Sequence, residues 1–196
     1  MLIKAFEVGA IQTNCYIVTD EKTLQCAVID PGAESGTILN YIDDNKLSLT
    51  AVFITHGHFD HIMAVEELVA EHEIPVFIHA ADASELKNLP RVRNYSDGDK
   101  VSVGGLTFEV IATPGHTPGG VCLMCEDALF TGDTLFKDSC GRTDMDGGSM
   151  EVLLKSLKRL YELPGDYEVY PGHSDFSTLE HERKLNYYMK YAVDRA

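Results

Sequence analysis

Residues 56–61 read His-Gly-His-Phe-Asp-His and place three imidazoles and one carboxylate within six positions. Imidazole and carboxylate groups are the ligands that zinc, iron and manganese bind in proteins. An apolar run at 51–54 comes shortly before and predicts a strand. Because strand side chains alternate in direction, His56 and His58 should point the same way. Asp60 and His61 follow where the chain turns, so they can face a second position beside the first. This geometry suits two metal ions better than one.

Three further candidate ligands follow predicted strands later in the chain, each close to a glycine. Glycine lets the backbone approach a site closely, and loops mounted on a rigid sheet commonly carry catalytic groups. The complete set of candidate metal ligands is His56, His58, Asp60, His61, His116, Asp133 and His173. A structural zinc takes four ligands, so this larger set predicts two divalent metal ions that share one carboxylate. Zinc is favoured, and iron or manganese would also fit these ligands.

The composition predicts a globular protein that forms a single domain over residues 1–196. Hydrophobic residues make up 44% of the chain and charged residues 24%, which is ordinary for soluble domains. A chain of 196 residues is long enough for one domain with a substantial core. The formal net charge is -15, and a chain this acidic repels phosphate backbones. We therefore expect a small-molecule substrate and no nucleic-acid partner; the oligomeric state is left open.

The five cysteines are irregularly spaced, which argues against a disulfide framework. Cys122 and Cys125 resemble a metal or redox pair, but they lie three apart in a predicted strand and should face opposite sides. The N-terminus has no apolar core of signal-peptide length, and no apolar run reaches the ~20 residues of a membrane span. These features predict a cytoplasmic protein without a membrane partner.

The elements that must position these ligands follow a repeated order, in which each half of the chain begins with strands and ends with a helix. Predicted strands cover residues 2–8, 15–19, 24–29, 51–55, 75–79, 101–103, 106–112, 121–125, 128–131 and 167–170. Predicted helices cover residues 37–45, 62–71, 81–88, 149–162 and 178 to about 193. The polar stretch 90–100 is expected to be loop. This order favours two sheets packed together with helices outside.

The ligand pattern resembles that of the metallo-β-lactamase superfamily. The similarity lies in His-x-His-x-Asp-His at 56–61 and in the later His116, Asp133 and His173. It extends over nearly the whole chain. It implies an α/β (α+β) fold, a four-layer αββα sandwich, with a metal site at one edge.

Within that superfamily, segments 132–136, 140–144 and 169–173 resemble glyoxalase II, the hydroxyacylglutathione hydrolases. The resemblance implies one metal bound by His56, His58 and His116, a second bound by Asp60, His61 and His173, and Asp133 bridging the two. Longer members carry an additional C-terminal helical domain that helps to bind glutathione. This chain ends after one predicted helix, so it is similar to the short, single-domain members.

The expected reaction is hydrolysis of a thioester, with S-lactoylglutathione as the leading candidate. Two cations about 3.5–4 Å apart can share a water, lower its pKa to about 7 and so provide hydroxide at neutral pH. The hydroxide attacks the carbonyl carbon, and a metal stabilises the developing oxyanion. Asp60 is expected to be catalytic, both as a ligand and by orienting the hydroxide. Arg142 is either a substrate-binding residue that pairs with a carboxylate or an ordinary surface residue.

The same scaffold is compatible with other functions. A persulfide dioxygenase resembles a branch of the superfamily with a single iron, for which His56, His116 and Asp133 would supply the ligands. A lactonase acting on cyclic esters is a third possibility. The net charge disfavours an RNA-processing nuclease. A non-enzymatic binding domain is disfavoured because a full ligand set beside open loops usually leaves a solvent position for chemistry.

Overall fold

In the computed structural model, which describes residues 1–70 and 72–194, two six-stranded sheets face each other. The first sheet contains Leu2–Val8 (β1), Thr13–Thr19 (β2), Gln25–Ile29 (β3), Ser48–Phe53 (β4), Val76–His79 (β5) and Val92–Tyr95 (β6), in that order. The second contains Lys100–Val103 (β7), Leu106–Ala112 (β8), Val121–Cys125 (β9), Ala128–Gly132 (β10), Glu168–Pro171 (β13) and Ser177–Thr178 (β14). A separate short hairpin is formed by Leu135–Phe136 (β11) and Ser139–Cys140 (β12).

The helices lie in the sequence between and after these strands. They are Ser35–Asp44 (α1), Phe59–Ile62 (α2), Val65–Ala70 (α3), Met150–Tyr161 (α4), Leu179–Leu185 (α5) and Tyr187–Asp194 (α6), with a 3-10 helix at Ala80–Leu86. Ser149 caps α4, because its side chain accepts a hydrogen bond from the Val152 amide. Thr178 caps α5 in the same way through the His181 amide. Both predicted helix starts are therefore confirmed.

Three apolar layers hold the sheets and helices together. Between the first sheet and its helices lie Ile38, Ile42, Val65 and Leu68; between the two sheets lie Tyr16, Phe53, Phe108 and Phe130; between the second sheet and its helices lie Leu153, Leu157, Leu160 and Met189. Strand β3 serves two layers, since Val28 packs towards the helices and Ile29 towards the other sheet. The predicted αββα sandwich is thus confirmed.

The ends of several strands meet at one edge of the sandwich. Strands β8, β10 and β13 run in the same direction, because β9 is antiparallel to β8 and β10 while β13 is parallel to β10. The first sheet reaches this edge where β4 ends, and the Thr55 carbonyl accepts a 3.0 Å hydrogen bond from the Val121 amide. Loops that leave β4, β8, β10 and β13 therefore lie side by side.

The predicted helix 62–71 is wrong in its extent, since the chain forms the short α2 and then α3. The Ala64 amide donates to the Pro31 carbonyl at 3.0 Å, and this contact with a distant turn interrupts a continuous helix. The predicted end at Glu71 lies outside the described residues.

The expected loop at 90–100 contains strand β6, an edge strand that pairs in parallel with β5. Its middle residues, Arg93 and Asn94, are exposed, so the apolar pattern is too short to predict a strand. The predicted final helix is divided at Asn186. The fully buried Asn186 side chain accepts hydrogen bonds from the amides of Tyr188 and Met189, and it thereby starts a new helix.

The cysteines behave as small buried side chains. All five are free thiols, and burial raises the pKa of Cys122 to about 12 and that of Cys125 to about 11. Cys122 packs towards the helices and Cys125 packs between the sheets, so the prediction that they face opposite sides is confirmed. Within the described part of the chain, none of the helices has the length and apolar character needed to cross a bilayer.

Candidate metal centre

All seven predicted ligands lie together at the edge where the strand ends meet. Their ligand atoms form three overlapping trios, each with its atoms within 4.8 Å of one another. The trios are His56–His58–His116, His56–His61–Asp133 and Asp60–His61–His173. Side chains that are far apart in sequence therefore converge on one place, although their role as metal ligands stays a prediction.

Two of the separations between ligand atoms in the first trio are close to those around a tetrahedral metal. His58 Nδ1 lies 3.1 Å from His56 Nε2 and 2.9 Å from His116 Nε2. Zinc–nitrogen bonds of 2.0–2.1 Å in tetrahedral geometry separate the ligand atoms by about 3.3 Å. Three imidazole nitrogens at this separation could hold one divalent ion.

The other half of the site contains the Asp60 carboxylate. Asp60 Oδ2 lies 3.3 Å from His61 Nε2 and 3.2 Å from His173 Nε2. Asp133 Oδ2 lies between the halves, 3.4 Å from His116 Nε2 and 3.7 Å from His173 Nε2. Asp133 therefore occupies the position that a bridging ligand would need.

Two buried atoms in the site show that a cation fits it. His61 Nε2 and Asp133 Oδ1 make no hydrogen bond to any of the described residues, and they face each other at 3.5 Å. A buried polar atom without a partner costs about 1–3 kcal/mol, so native proteins rarely leave such atoms unsatisfied. A divalent ion between an imidazole nitrogen and a carboxylate oxygen would satisfy both.

Protonation of the metal-free site differs between its two halves. Burial, together with the neighbouring histidines, lowers the pKa of His56 and of His58, so both rings keep a free lone pair at neutral pH. Burial also opposes charge on His61 and His173, but nearby carboxylates outweigh it and raise the pKa of each ring. Burial likewise disfavours the charged Asp60, yet His173 and His61 lower its pKa overall.

Asp30, at the end of β3, holds His61 in place from behind. Its Oδ1 accepts a hydrogen bond from the Thr55 amide and its Oδ2 accepts one from the Thr55 hydroxyl, both at 2.7 Å. Asp30 Oδ2 also lies 3.0 Å from His61 Nδ1, which leaves Nε2 directed at the site. Asp30 directly follows the predicted strand 24–29, and its partners, 25 and 31 positions further along the chain, give no local signal in the sequence.

The start of β2 anchors two ligand segments. The Thr13 hydroxyl donates to Asp60 Oδ2 at 2.9 Å. The Asn14 side-chain amide donates to the carbonyls of Pro171 and Ser174, both at 3.0 Å, and so fixes the loop that carries His173. These two roles were also missed, because they depend on contacts across the sandwich.

Gly172 shows why glycine accompanies a ligand. A Cβ added at this position would lie 2.3 Å from Asp133 Oδ1 and 2.8 Å from His61 Cε1. Any side chain here would collide with the candidate ligands, so only glycine allows the His173 loop to approach them.

Arg142 contributes to the site through its backbone. Its carbonyl oxygen lies 2.7 Å from His116 Nδ1, which directs His116 Nε2 towards Asp133. The guanidinium instead pairs with both carboxylate oxygens of Asp144, at 2.7 and 2.8 Å, and both side chains are exposed. Binding of a substrate carboxylate by the Arg142 side chain stays a prediction.

The site is open on one side. His56, His61 and His116 are buried, whereas His58, Asp60, Asp133 and His173 are partly exposed. Phe59, next to Asp60, is 62% exposed. A substrate would therefore approach from the side of the partly exposed ligands.

Curated proteins similar to this chain include three that cover most of it. An uncharacterized protein of Aquifex aeolicus is 40% identical and the alignment covers 95% of this chain and 96% of the relative. The probable metallo-hydrolase YqgX of Bacillus subtilis is 35% identical, with 91% and 93% covered. The probable polyketide biosynthesis zinc-dependent hydrolase BaeB of Bacillus velezensis is 34% identical, with 82% and 72% covered.

Similar solved structures include ETHE1 from Myxococcus xanthus, with a TM-score of 0.87, 35% identity and 95% and 84% of the two chains covered. TTHA1623 in a di-iron-bound form has a TM-score of 0.82 and 34% identity, with 94% and 99% covered. The B3 metallo-beta-lactamase BLEG-1 has a TM-score of 0.86 and 31% identity, with 96% and 99% covered.

The family comparison covers the entire candidate site. Residues 8–173 match the metallo-beta-lactamase superfamily, and this range begins in β1 and ends at His173. The match spans most of the sequence and agrees with the two-sheet sandwich and with the relatives above 30% identity. The chain therefore belongs to the metallo-beta-lactamase superfamily.

Proposed function

We propose that this chain is a metal-dependent hydrolase that cleaves a thioester, with S-lactoylglutathione as the leading substrate. The observation that carries the proposal is the position of Asp133 between two groups of candidate ligands. Membership of the superfamily and the names of two relatives, a metallo-hydrolase and a zinc-dependent hydrolase, support hydrolysis. The thioester is the finer part of the proposal and rests on the resemblance of three sequence segments to glyoxalase II.

Two divalent ions would be held, one by His56, His58 and His116 and the other by Asp60, His61 and His173, with Asp133 shared. When bound, such a pair supplies Lewis acidity and lowers the pKa of water to about 7. Nitrogen and carboxylate ligands suit both zinc and iron. A zinc-dependent relative and a di-iron neighbour support either choice.

The chain's own groups would orient the reaction. Asp60 is held by the Thr13 hydroxyl and lies on the open side of the site, so it can accept a hydrogen bond from an attacking water. The water oxygen bonds to the acyl carbon, the carbon–sulfur bond breaks, and the sulfur leaves as a thiol after taking a proton from the water. Burial of His56, His61 and His116 keeps other water away from the closed side.

A persulfide dioxygenase is the alternative that a specific observation favours. The structure of ETHE1 from Myxococcus xanthus is similar over 95% of the chain and supports it. In this alternative a single iron would be held by His56, His116 and Asp133. The high negative charge disfavours a nucleic-acid substrate under either proposal.

The two functions can be separated with zinc-loaded and iron-loaded protein. We expect thiol release from S-lactoylglutathione without oxygen consumption, and loss of at least about 100-fold of this activity in Asp133→Ala together with lower metal content. Asp43→Ala, which removes an exposed carboxylate on α1, is the matched control and should retain activity. Oxygen uptake with glutathione persulfide and no thiol release would favour the dioxygenase instead.

A further inference from the structure

Asp82 lies in the 3-10 helix that follows β5, and its carboxylate connects two of the ligand loops. Its side chain is nearly buried, with 8% of the residue exposed. Oδ2 accepts a hydrogen bond from the Gly57 amide at 3.1 Å, and Oδ1 accepts one from the Gly119 amide at 2.7 Å. Gly57 lies between His56 and His58, whereas Gly119 lies three residues after His116.

Both glycines are shaped to receive this carboxylate. A Cβ added at Gly57 would lie 2.4 Å from the Asp82 carbonyl oxygen, and one added at Gly119 would lie 2.6 Å from Asp82 Oδ1. Side chains at either position would push Asp82 out of the gap between the loops. The two loops are therefore packed against Asp82 as closely as their backbones allow.

The helix that carries Asp82 is itself fixed at its start. His79 ends β5, and its Nδ1 accepts a hydrogen bond from the Ala81 amide at 3.2 Å. The start of the 3-10 helix is thus fixed, and Asp82 is its third residue. Asp82 is placed by the first sheet but reaches a loop of the second.

We propose that Asp82 is a positioning residue that holds the His56, His58 and His116 half of the centre in its ligand geometry. The inference rests on the proposed metal-dependent function. The histidines of this half come from loops that follow β4 in one sheet and β8 in the other. One carboxylate that accepts amide hydrogen bonds from both loops fixes their separation, and charge-assisted bonds of this type are stronger than neutral ones.

Asp30 provides a contrast within the same site. Its Oδ2 lies 3.0 Å from His61 Nδ1 and accepts a hydrogen bond from the Thr55 hydroxyl, which itself lies 3.2 Å from His56 Nδ1, so Asp30 supports both halves. Asp82 differs from Asp30, because its hydrogen bonds within the described residues come from Gly57 and Gly119, which lie beside ligands of the His56, His58 and His116 half. Loss of Asp82 should therefore weaken one metal position and spare the other.

The test is Asp82→Asn, followed by zinc titration in competition with a chromophoric chelator. The asparagine side chain has the same size, but an NH2 group, which cannot accept a hydrogen bond from a backbone amide, replaces one of the two accepting oxygens. Supporting groups of this kind typically change metal affinity by about 10- to 100-fold, and we expect that loss at one of two zinc equivalents. The matched control is Asp20→Asn, a nearly buried carboxylate that accepts hydrogen bonds from the Lys22 and Gly105 amides away from the site.

Double variants that also lack one metal ligand identify which half of the centre is affected. In His173→Asn, which removes a ligand of the other half, Asp82→Asn should still weaken the remaining zinc equivalent. In His116→Asn it should have little further effect, because both changes act on the same position. If Asp82→Asn does not fold, judged by circular dichroism of the metal-free protein, Asp82→Ser replaces it with the same expected loss.

Two outcomes would overturn the proposal. In the first, the folded Asp82→Asn variant binds both zinc equivalents with the same affinity as the parent chain. In the second, the affinity falls equally at both zinc equivalents, or it falls by the same amount in Asp20→Asn. A parent chain that binds two zinc ions but releases no thiol from any thioester would refute the proposed reaction and leave the role of Asp82 standing.

Discussion

Asp133 is the residue on which the two halves of the candidate centre depend. One of its oxygens lies near His116 and His173, and the other faces His61 without a hydrogen bond among the described residues. No other carboxylate in the described site has ligand atoms of both halves near it in this way. In the proposed centre this single side chain would link the two cations.

Arg142 allows a residue-scale prediction about substrate binding. An exposed ion pair contributes little to stability, so a substrate carboxylate could replace Asp144 at the guanidinium. If it does, Arg142→Ala should raise KM about tenfold with kcat nearly unchanged, and Asp144→Ala should lower KM. Steady-state kinetics of the two variants measure this, and an unchanged KM in both would remove the Arg142 side chain from substrate binding.

At the scale of elements, Asp20 connects the two sheets. It lies in the turn between β2 and β3, and its Oδ2 accepts a hydrogen bond from the Gly105 amide in the turn between β7 and β8. This bond, with those from Thr23 and the Lys22 amide, lowers the pKa of Asp20 to about 2. The carboxylate thus favours the folded chain only while it is ionised.

The sign of the resulting pH dependence follows from the lowered pKa. The stabilisation is fully present above the unfolded pKa of about 3.9 and is lost as the pH falls through about 2. Asp20→Asn should therefore be less stable than the parent at neutral pH, and the difference should shrink between pH 4 and pH 2. Urea unfolding at a series of pH values measures it, and a difference that is constant over this range would contradict the prediction.

Asn186 supports the junction between α5 and α6. Its Nδ2 donates to the buried Glu182 carboxylate at 2.7 Å and to the Ser139 carbonyl at 2.9 Å, while its oxygen caps α6. Asn186→Ala removes the cap and leaves buried acceptors unpaired, so we expect a loss of about 2–4 kcal/mol in the free energy of unfolding. Denaturant unfolding measures this loss.

The control for that prediction is Asn45→Ala. Asn45 is exposed at the end of α1, and its Nδ2 donates to the Tyr41 carbonyl at 2.8 Å. Because water can replace this bond, the loss should be below about 1 kcal/mol. Equal losses in the two variants would show that burial at Asn186 does not matter.

For the whole molecule, the two sheets pack face to face, and four loops at one edge of the sandwich carry the candidate ligands. The seven candidate ligands could be identified from the sequence because histidine and aspartate beside glycine at strand ends form a local pattern, and the structure brings these side chains together. The αββα sandwich could be predicted from the order of strands and helices and from the family resemblance. The second half of β4, residues 51–53, was recognisable because both of its faces are buried and its sequence is apolar.

What the sequence did not predict depends on contacts between distant segments. The break between α2 and α3 results from the Pro31 carbonyl, and the role of Asp82 results from amides 25 and 37 positions away. Strand β6 forms because it pairs in parallel with β5. None of these contacts changes the apolar periodicity that identifies an element in the sequence.

The most direct test of the dinuclear centre is anomalous diffraction from crystals of the zinc-loaded protein. We predict two peaks about 3.5–4 Å apart, one bonded to His56, His58 and His116 and the other to Asp60, His61 and His173. Asp133 should lie within bonding distance of both. A single peak, or two peaks of which neither contacts Asp133, would contradict the account.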